Sequence, residues 1–460
     1  MKTILTLFCT LMLVHASEIL YTDTLTLEDA IEILQTQNLE IQAASLDEKS
    51  AHIYVKQASG HNWGTLDFEQ NIARSNDAGN VFGFKLTSRE ASFNDFGFDE
   101  FLGQMGGLPG NAPELLATQP DKLNYPDDRN FFQSKLVYQL PLYTGGQISS
   151  YTDIAASMEK IKSLEKAQVI SEKVYETRKS FYDMALLKNG IENLQTILNN
   201  ISTLENTTKS MIDEGYAKTS DLLEVQARKS NVLRNINQME SNKQLLYHYL
   251  SFLLNRDVSA IETPASEITM PSYSDDEILM RNIDLKRATT GLAIRSDMVD
   301  VSQANYFPMI GVKAEVQTAA DSFNGYSIDK GSYTVGAQLT WNLFNGGIDV
   351  NKAEKAQVEH LKTKTEVELA KKGIRLKIHQ IRTQISTLDY EIISLNKELE
   401  LANEIYQNYE GRYKEQLASM SDVIIKQSQQ IQKILQLLQI KNKRNERIFA
   451  LEKLANGVEK

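Results

Sequence analysis

The chain has 460 residues, with 49 Lys and Arg against 60 Asp and Glu, a net charge of −11 and a pI near 5.3. That balance argues against nucleic acid, which needs a basic face. Hydrophobic residues make up 42% of the chain, enough to bury a large core, yet beyond residue 16 no stretch of 18 apolar residues occurs, so no transmembrane helix is expected.

The amino terminus predicts a signal peptide over 1–16. Lys2 precedes an apolar run from Ile4 to Val14, and Val14-His15-Ala16 sets small residues at a cleavage point before Ser17. The run is too short for an anchor. Cys9, the single cysteine, lies inside it, so the exported chain is expected to have no disulfide, thiolate chemistry or lipid anchor.

The first strand has Leu66, Phe68 and Ile72 on one side and Asp67, Glu69 and Asn71 on the other. A long connection comes next, from about Asp77 to Asn130. It holds six phenylalanines between Val81 and Leu102 and a Gly106-Gly107-Leu108-Pro109-Gly110 turn. Phe132, Leu136, Tyr138, Leu140 and Leu142 then alternate with Gln133, Lys135, Val137 and Gln139, Ser134 being the one polar residue on the apolar side. From Leu142 to Thr263 there is no proline, and Leu, Ile, Lys, Glu and Gln dominate, which reads as long helix. Its seam runs through Met184, Leu187, Ile191, Leu194, Leu198 and Ile201.

The second half begins with Ser274-x-x-Glu277, a capping box; the acidic Asp275-Asp276-Glu277 is read as a helix start rather than a catalytic site. Two strands follow. Val312, Ala314 and Val316 oppose Lys313, Glu315 and Gln317; then, after a short connection at 321–331, Tyr333, Val335, Ala337, Leu339, Trp341 and Leu343 oppose Thr334, Gly336, Gln338, Thr340 and Asn342. From Gly347 to about Tyr413 the chain is proline-free for a length of roughly 100 Å at 1.5 Å per residue. Ile374, Ile378, Ile381, Ile385, Leu388, Ile392, Leu395, Leu399, Ala402, Tyr406, Tyr409 and Tyr413 alternate spacings of four and three, the 3.5-residue period of a left-handed coiled coil.

The two halves repeat. Gln139-Leu140-Pro141-Leu142-Tyr143-Thr144-Gly145-Gly146 returns 201 residues later as Thr340-Trp341-Asn342-Leu343-Phe344-Asn345-Gly346-Gly347, and Ser220-Asp221-Leu222-Leu223 as Ser421-Asp422-Val423-Ile424. Upstream, Asn38-Leu39-Glu40-Ile41 matches Asn282-Ile283-Asp284-Leu285 at an offset of 244, so the first copy carries 43 extra residues in its middle. The expected organisation is a first repeat at 17–256, a linker at 257–273 and a second repeat at 274–460.

Strict alternation gives each strand an apolar and a polar face, and the helices already spend their apolar seams on one another. Amides and charges on the polar side suit a strand with lipid on one face and water on the other. Four strands cannot close a barrel, and an open edge in lipid leaves backbone groups unpaired, so several chains must share one. Two chains would give eight strands and three would give twelve.

In this combination the chain resembles the TolC-like outer-membrane efflux proteins, from Leu25 to about Gly457. The resemblance rests on Leu25-Thr26-Leu27-Glu28-Asp29-Ala30 with Asn38, on Tyr306-Phe307-Pro308 entering a strand, on the two strand-to-helix turns at Gly145-Gly146 and Gly346-Gly347, and on the Ser-Asp-aliphatic step at both hairpin tips, 215–223 and 416–424. It implies a mainly helical homotrimer with a shared twelve-stranded barrel in the outer membrane of a Gram-negative bacterium and a helical tunnel across the periplasm. As a passive exit duct it would dock a periplasmic adaptor and an inner-membrane transporter (of RND, ABC or MFS type) in tripartite efflux or type I secretion. Gln416 departs from the pattern where the first tip has Gly215. The long 77–130 connection either caps the outer mouth or elaborates the surface, and the second is favoured.

Asp422, Asp221 and Ser421 are the candidate pore constriction, since three carboxylates around an axis would attract cations. The same aspartates also suit helix starts, where a carboxylate meets the positive dipole end. Gly215, Ser220, Leu222, Gln416, Ser419 and Val423 are candidate adaptor contacts. No histidines stand at metal-ligand spacing and no nucleophile, base and carboxylate set is visible, so neither enzyme activity nor a metal or cofactor is expected. The competing reading is a periplasmic coiled-coil scaffold or adaptor with no barrel.

Overall fold

The computed structural model describes residues 24–106, 116–264 and 268–456. The expected signal peptide, most of the 106–110 turn and residues 265–267 of the linker lie outside them. In chain order the main elements are α1 (Leu27–Gln37), α2 (Leu39–Gly60), β1 (Thr65–Ser75), α3 (Ala78–Thr87), α4 (Phe98–Met105), β2 (Arg129–Tyr143), α5 (Gln147–Asp213), α6 (Thr219–Leu254), α7 (Asp275–Arg281), α8 (Ile283–Ala304), β3 (Met309–Ala320), β4 (Ser332–Thr340), α9 (Ile348–Lys414) and α10 (Met420–Leu454). Two compact units result. Of the described residues, one comprises those within Met1–Ser45, Glu165–Leu285 and Lys371–Lys460; the other those within Leu46–Leu164 and Lys286–Ala370.

The first unit is helical. α5 and α9 are each 67 residues long, as the proline-free runs require. Of the expected seam on α9, Ile378, Ile381, Ile385, Leu395, Tyr406 and Tyr413 are buried and the others half-buried. On α5 the buried stripe is broader: Ile197 and Leu204 are buried as well, while Leu198 is only half-buried. The cause is that one apolar cluster gathers Leu194, Ile201 and Leu204 of α5, Val225 and Val232 of α6, Tyr406 of α9 and Ile431 of α10, so α5 serves more than one partner.

Each repeat is tied shut in the same way. Asn38 Nδ2 donates to the Leu253 carbonyl at 2.7 Å while its Oδ1 accepts from Ile41 N at 3.0 Å. Asn282 Nδ2 donates to the Leu454 carbonyl at 3.0 Å and its Oδ1 accepts from Leu285 N at 2.9 Å. One asparagine thus caps the start of a helix and the end of the hairpin beside it, satisfying orphan groups at both. The hairpins themselves end on Asn255 and Asn456 at φ 50° and 46°, a left-handed position that asparagine tolerates. The box at Ser274 is formed as expected: its hydroxyl accepts from Glu277 N at 3.3 Å, and its own N–H donates to the Glu277 carboxylate at 2.7 Å.

The second unit is built on an antiparallel sheet in the order β1-β2-β3-β4. Two strand assignments need correction. β4 ends at Thr340, so Trp341 and Leu343 do not continue its face; Trp341 instead donates from Nε1 to the Tyr306 carbonyl at 3.1 Å. A register shift between Pro141 and Tyr143 takes Leu142 out of its row, at the point where proline offers no N–H to the ladder. The 77–130 connection is not bare loop, since it contains α3 and α4.

Candidate functional site

The sheet register assembles the strand faces into rows. Phe68, Leu136, Val316 and Tyr333 lie side by side across all four strands, and Leu66, Tyr138, Ala314 and Val335 form the next row on that face. In the single chain this apolar face is bare: Phe68 is 67% exposed and Tyr333 80%. The opposite face is a polar lattice. Lys135 Nζ lies 3.6 Å from Glu69 and 3.9 Å from Glu315, and Lys313 lies 3.1 Å from Glu315. Asn71 donates to Gln133 at 2.9 Å and Gln133 to Gln317 at 2.6 Å. A concavity of about 1350 Å³ opens on this side, bounded by Gln139, Lys313, Glu315 and Thr334 together with Tyr54, Tyr151 and Met158.

Ser134, the polar exception on the apolar side, is satisfied. Its hydroxyl donates to Gln70 at 2.6 Å, and Gln70 in turn donates to the Tyr326 hydroxyl at 2.9 Å. Phe323 packs edge-on to Phe132, with ring centroids 6.3 Å apart. Aromatics with a hydrogen-bonded polar end, at the margin of an apolar band, are what a membrane interface selects.

Both strand-to-helix turns use paired glycines in the left-handed region, Gly145 and Gly146 at φ 65° and 87° and Gly346 and Gly347 at 69° and 83°. At Gly145 a side chain is also excluded by space, since a Cβ there would sit 2.5 Å from the Ala304 carbonyl oxygen.

The hairpin tips are near-copies. Tyr216 N bonds back to the Met211 carbonyl at 2.7 Å and Leu417 N to the Arg412 carbonyl at 2.7 Å, so both helices end in the same reversal. The left-handed residue is Gly215 at φ 80° in one and Gln416 at φ 61° in the other. Asp422 caps α10: it accepts from the Ser419 hydroxyl at 2.6 Å and from Ser419 N at 3.1 Å, and these bonds hold its carboxyl below the ordinary range, so it stays charged. Asp221 accepts from Lys218 N at 3.1 Å at the start of α6. Ser421 links the two tips, donating to the Glu224 carboxylate at 2.9 Å. Among the proposed contacts Gly215, Ser220, Gln416 and Ser419 are exposed and Leu222 half-buried. Val423 is fully buried in the hairpin core and offers nothing to a partner, because its helical phase points inward. The exposed apolar residues here are Tyr216, Leu223, Leu417 and Ile425.

Two groups deeper in the hairpins escaped the sequence reading, although the 201-residue offset aligns them. Glu205 takes Lys229 and Lys209 at 2.9 Å each, and Gln226 donates to it at 3.4 Å. At the matching places stand Tyr406, Gln430 and Gln427. The Tyr406 hydroxyl and both polar atoms of the Gln427 side chain are buried without a hydrogen bond of good geometry.

Among the described residues no helix is long and apolar enough to cross a membrane. Residues 276–457 match the family described as outer membrane efflux protein. No curated protein matches the sequence significantly. Solved structures match over nearly the whole chain. CusC, described in terms of transmembrane channel formation, aligns at TM-score 0.76 and 13% identity, covering 94% of this chain and 92% of its own. The outer membrane protein VceC from Vibrio cholerae aligns at 0.74 and 16%, covering 94% and 96%. The open-state MtrE outer membrane channel of Neisseria gonorrhoeae aligns at 0.74 and 14%, covering 94% and 89%. At such identities the likeness establishes the fold, four strands and long helical hairpins included.

Proposed function

We propose that the chain is a passive outer-membrane exit duct that works as a homotrimer, a reading supported by the match of residues 276–457 to the outer membrane efflux protein family. The observation that carries this reading is the bare apolar face, aligned row by row across four strands whose outer edges, on β1 and β4, have no strand partner among the described residues. Lipid satisfies the first and neighbouring copies the second. Three copies give twelve strands around a lumen lined by the lattice of Lys135, Glu69, Glu315 and Gln133. The helices form the periplasmic tunnel, whose far end is the pair of tips. There Asp422, with Asp221 and Ser421 beside it, narrows the duct, and the exposed tip residues meet a periplasmic adaptor that couples the duct to an inner-membrane transporter. The full assembly is a tripartite efflux or type I secretion system.

Mass measurement of the detergent-extracted protein tests the assembly: three chains per particle in the outer-membrane fraction are expected. A water-soluble periplasmic protein would instead make it a coiled-coil scaffold or adaptor. Strand faces are tested by Val335→Arg, which places a charge in lipid and should cost a few kcal/mol of insertion, roughly 2–4 at the midplane, while Thr334→Arg on the lumen side is tolerated.

A further inference from the structure

The two connections between strands cover different faces of the sheet for most of their length and meet where Asp329 and Lys330 of the short one reach Arg89 and Glu90 of the long one. The short one, 321–331, leans onto the apolar face through Phe323 and Tyr326, as described above. The long one does the reverse. Arg129 and Phe131 share a face with Gln133, Lys135 and Gln139, the polar side. It is on this side that α3 lies: Phe84 stacks on Phe131 with centroids 4.2 Å apart and planes 9° from parallel. Val81 of α3 is buried, as are Phe131 and, on the same face of β3, Ala319.

The far end of α3 is clamped. Ser88 is fully buried, Arg129 donates to its hydroxyl at 3.1 Å, and Arg129 and Lys330 both form ion pairs with Glu90. Arg89 sits at φ 54°, an uncommon position for a non-glycine residue, and donates to the Asp329 carbonyl at 3.2 Å. Such a conformation persists only where its surroundings hold it. The start of α3 is fixed too, with Asp77 accepting from Asn80 N at 3.0 Å. A helix capped at one end, stacked in the middle and ion-paired at the other is a fixed part of the polar face, at the sheet end remote from α2 and α5.

We propose that α3 and the Glu90 cluster form a constriction on the lumenal side of the outer mouth, narrowing the duct so that small solutes pass and bulky ones are held back. This rests on the duct reading, which makes the polar face the lumen. It assigns the extra residues of the first repeat to a second narrowing, distinct from the one at the hairpin tips. The chemistry is a size and polarity filter: the rim is ionic (Arg129, Glu90, Lys330) and the wall behind it aromatic (Phe84, Phe131).

Cysteine accessibility tests it in whole cells, in a Cys9→Ser background that has no other thiol. Thr334→Cys lies on the lumenal face, inward of the covered rows, and Val335→Cys on the lipid face. A small water-soluble maleimide and a bulky polyethylene-glycol maleimide are added from outside. Three forms of each are compared: the intact segment, Phe84→Ala/Glu90→Ala, and a form with residues 78–127 replaced by a glycine-serine turn. The double substitution leaves the strands untouched and stands if the deletion does not fold. The small reagent should label Thr334→Cys in every form, and the bulky one should label it about tenfold more slowly behind the intact segment than in the opened forms. Equal labelling by the bulky reagent in all forms overturns the constriction while leaving the duct standing. If the small reagent labels Val335→Cys as fast as Thr334→Cys, the polar face is not the lumen, and the duct reading fails together with the constriction.

Discussion

The two helical hairpins share a backbone plan and differ in how they fill it. In the first, the buried polar position Glu205 is surrounded by Lys229, Lys209 and Gln226 and is satisfied. In the second, Tyr406 and Gln427 occupy the equivalent places, and their polar atoms lack good partners. The first tip turns on Gly215, the second on Gln416, also left-handed. Both differences weaken the second hairpin relative to the first. A repeat relaxed in one copy only is suited to a conformational change made by that copy, since an under-satisfied seam costs less to separate.

The largest effect should come from removing that penalty. Gln427→Leu should raise the stability of the solubilised protein by about 1–3 kcal/mol, the cost of a buried amide whose neighbour, the Tyr406 hydroxyl, is poorly aligned with it, read as a shift of the denaturation midpoint. Gln226→Leu in the first hairpin should not stabilise, because it takes a hydrogen bond from Glu205. If Gln427→Leu destabilises instead, the second hairpin is not the relaxed one.

Exchanging the turn residues gives the next largest change. Gly215→Gln should lose about 1–2 kcal/mol and Gln416→Gly gain a similar amount, because only glycine adopts this backbone without strain. Nothing lies within 4 Å of a Cβ at Gly215, so the loss would be conformational alone. Opposite signs are the expected result, and equal signs would mean that the tips are not equivalent.

Acid should separate the hairpins in the other direction. Hydrogen bonds from Lys229 and Lys209 hold the Glu205 carboxyl from its ordinary 4.5 down to about 2. A depressed carboxylate stabilises the fold above its ordinary value and loses that contribution as pH falls toward the lowered one. Burial pushes the Tyr406 phenol upward, so it stays neutral throughout. Hydrogen exchange should therefore speed up at residues 198–212 between about pH 5 and pH 2, more than at 399–413. Uniform acceleration of both segments would remove Glu205 from the account.

The smallest structural effect, with the most direct functional readout, belongs to the caps. Asp422→Ala should weaken multivalent-cation block and cation selectivity in planar bilayers more than Asp221→Ala does, with the trimer intact. Wild-type conductance, selectivity and block in both variants would leave the two aspartates as helix caps only.

The sequence by itself determined the elements and their faces. Periodicity is a local property: a 3.5-residue repeat makes a seam and a two-residue alternation makes a two-faced strand whatever lies beyond them. Hence Ile378, Ile381 and Ile385 are buried where the spacing puts them, the four strands lie where the alternation does, and the repeat reappears as matched Asn38 and Asn282 locks. What the tertiary structure alone decided depends on neighbours brought from far along the chain. The end of β4 at Thr340 and the loss of register at Pro141 are set by which carbonyl meets which N–H across the ladder. Val423 is closed to a partner because the inner face of its helix meets a cluster that four helices share. The fate of α3 hung on Arg129, 39 residues beyond Glu90, pairing with it. A charged pair so distant leaves no period in the sequence, since its geometry exists only once the strands have formed.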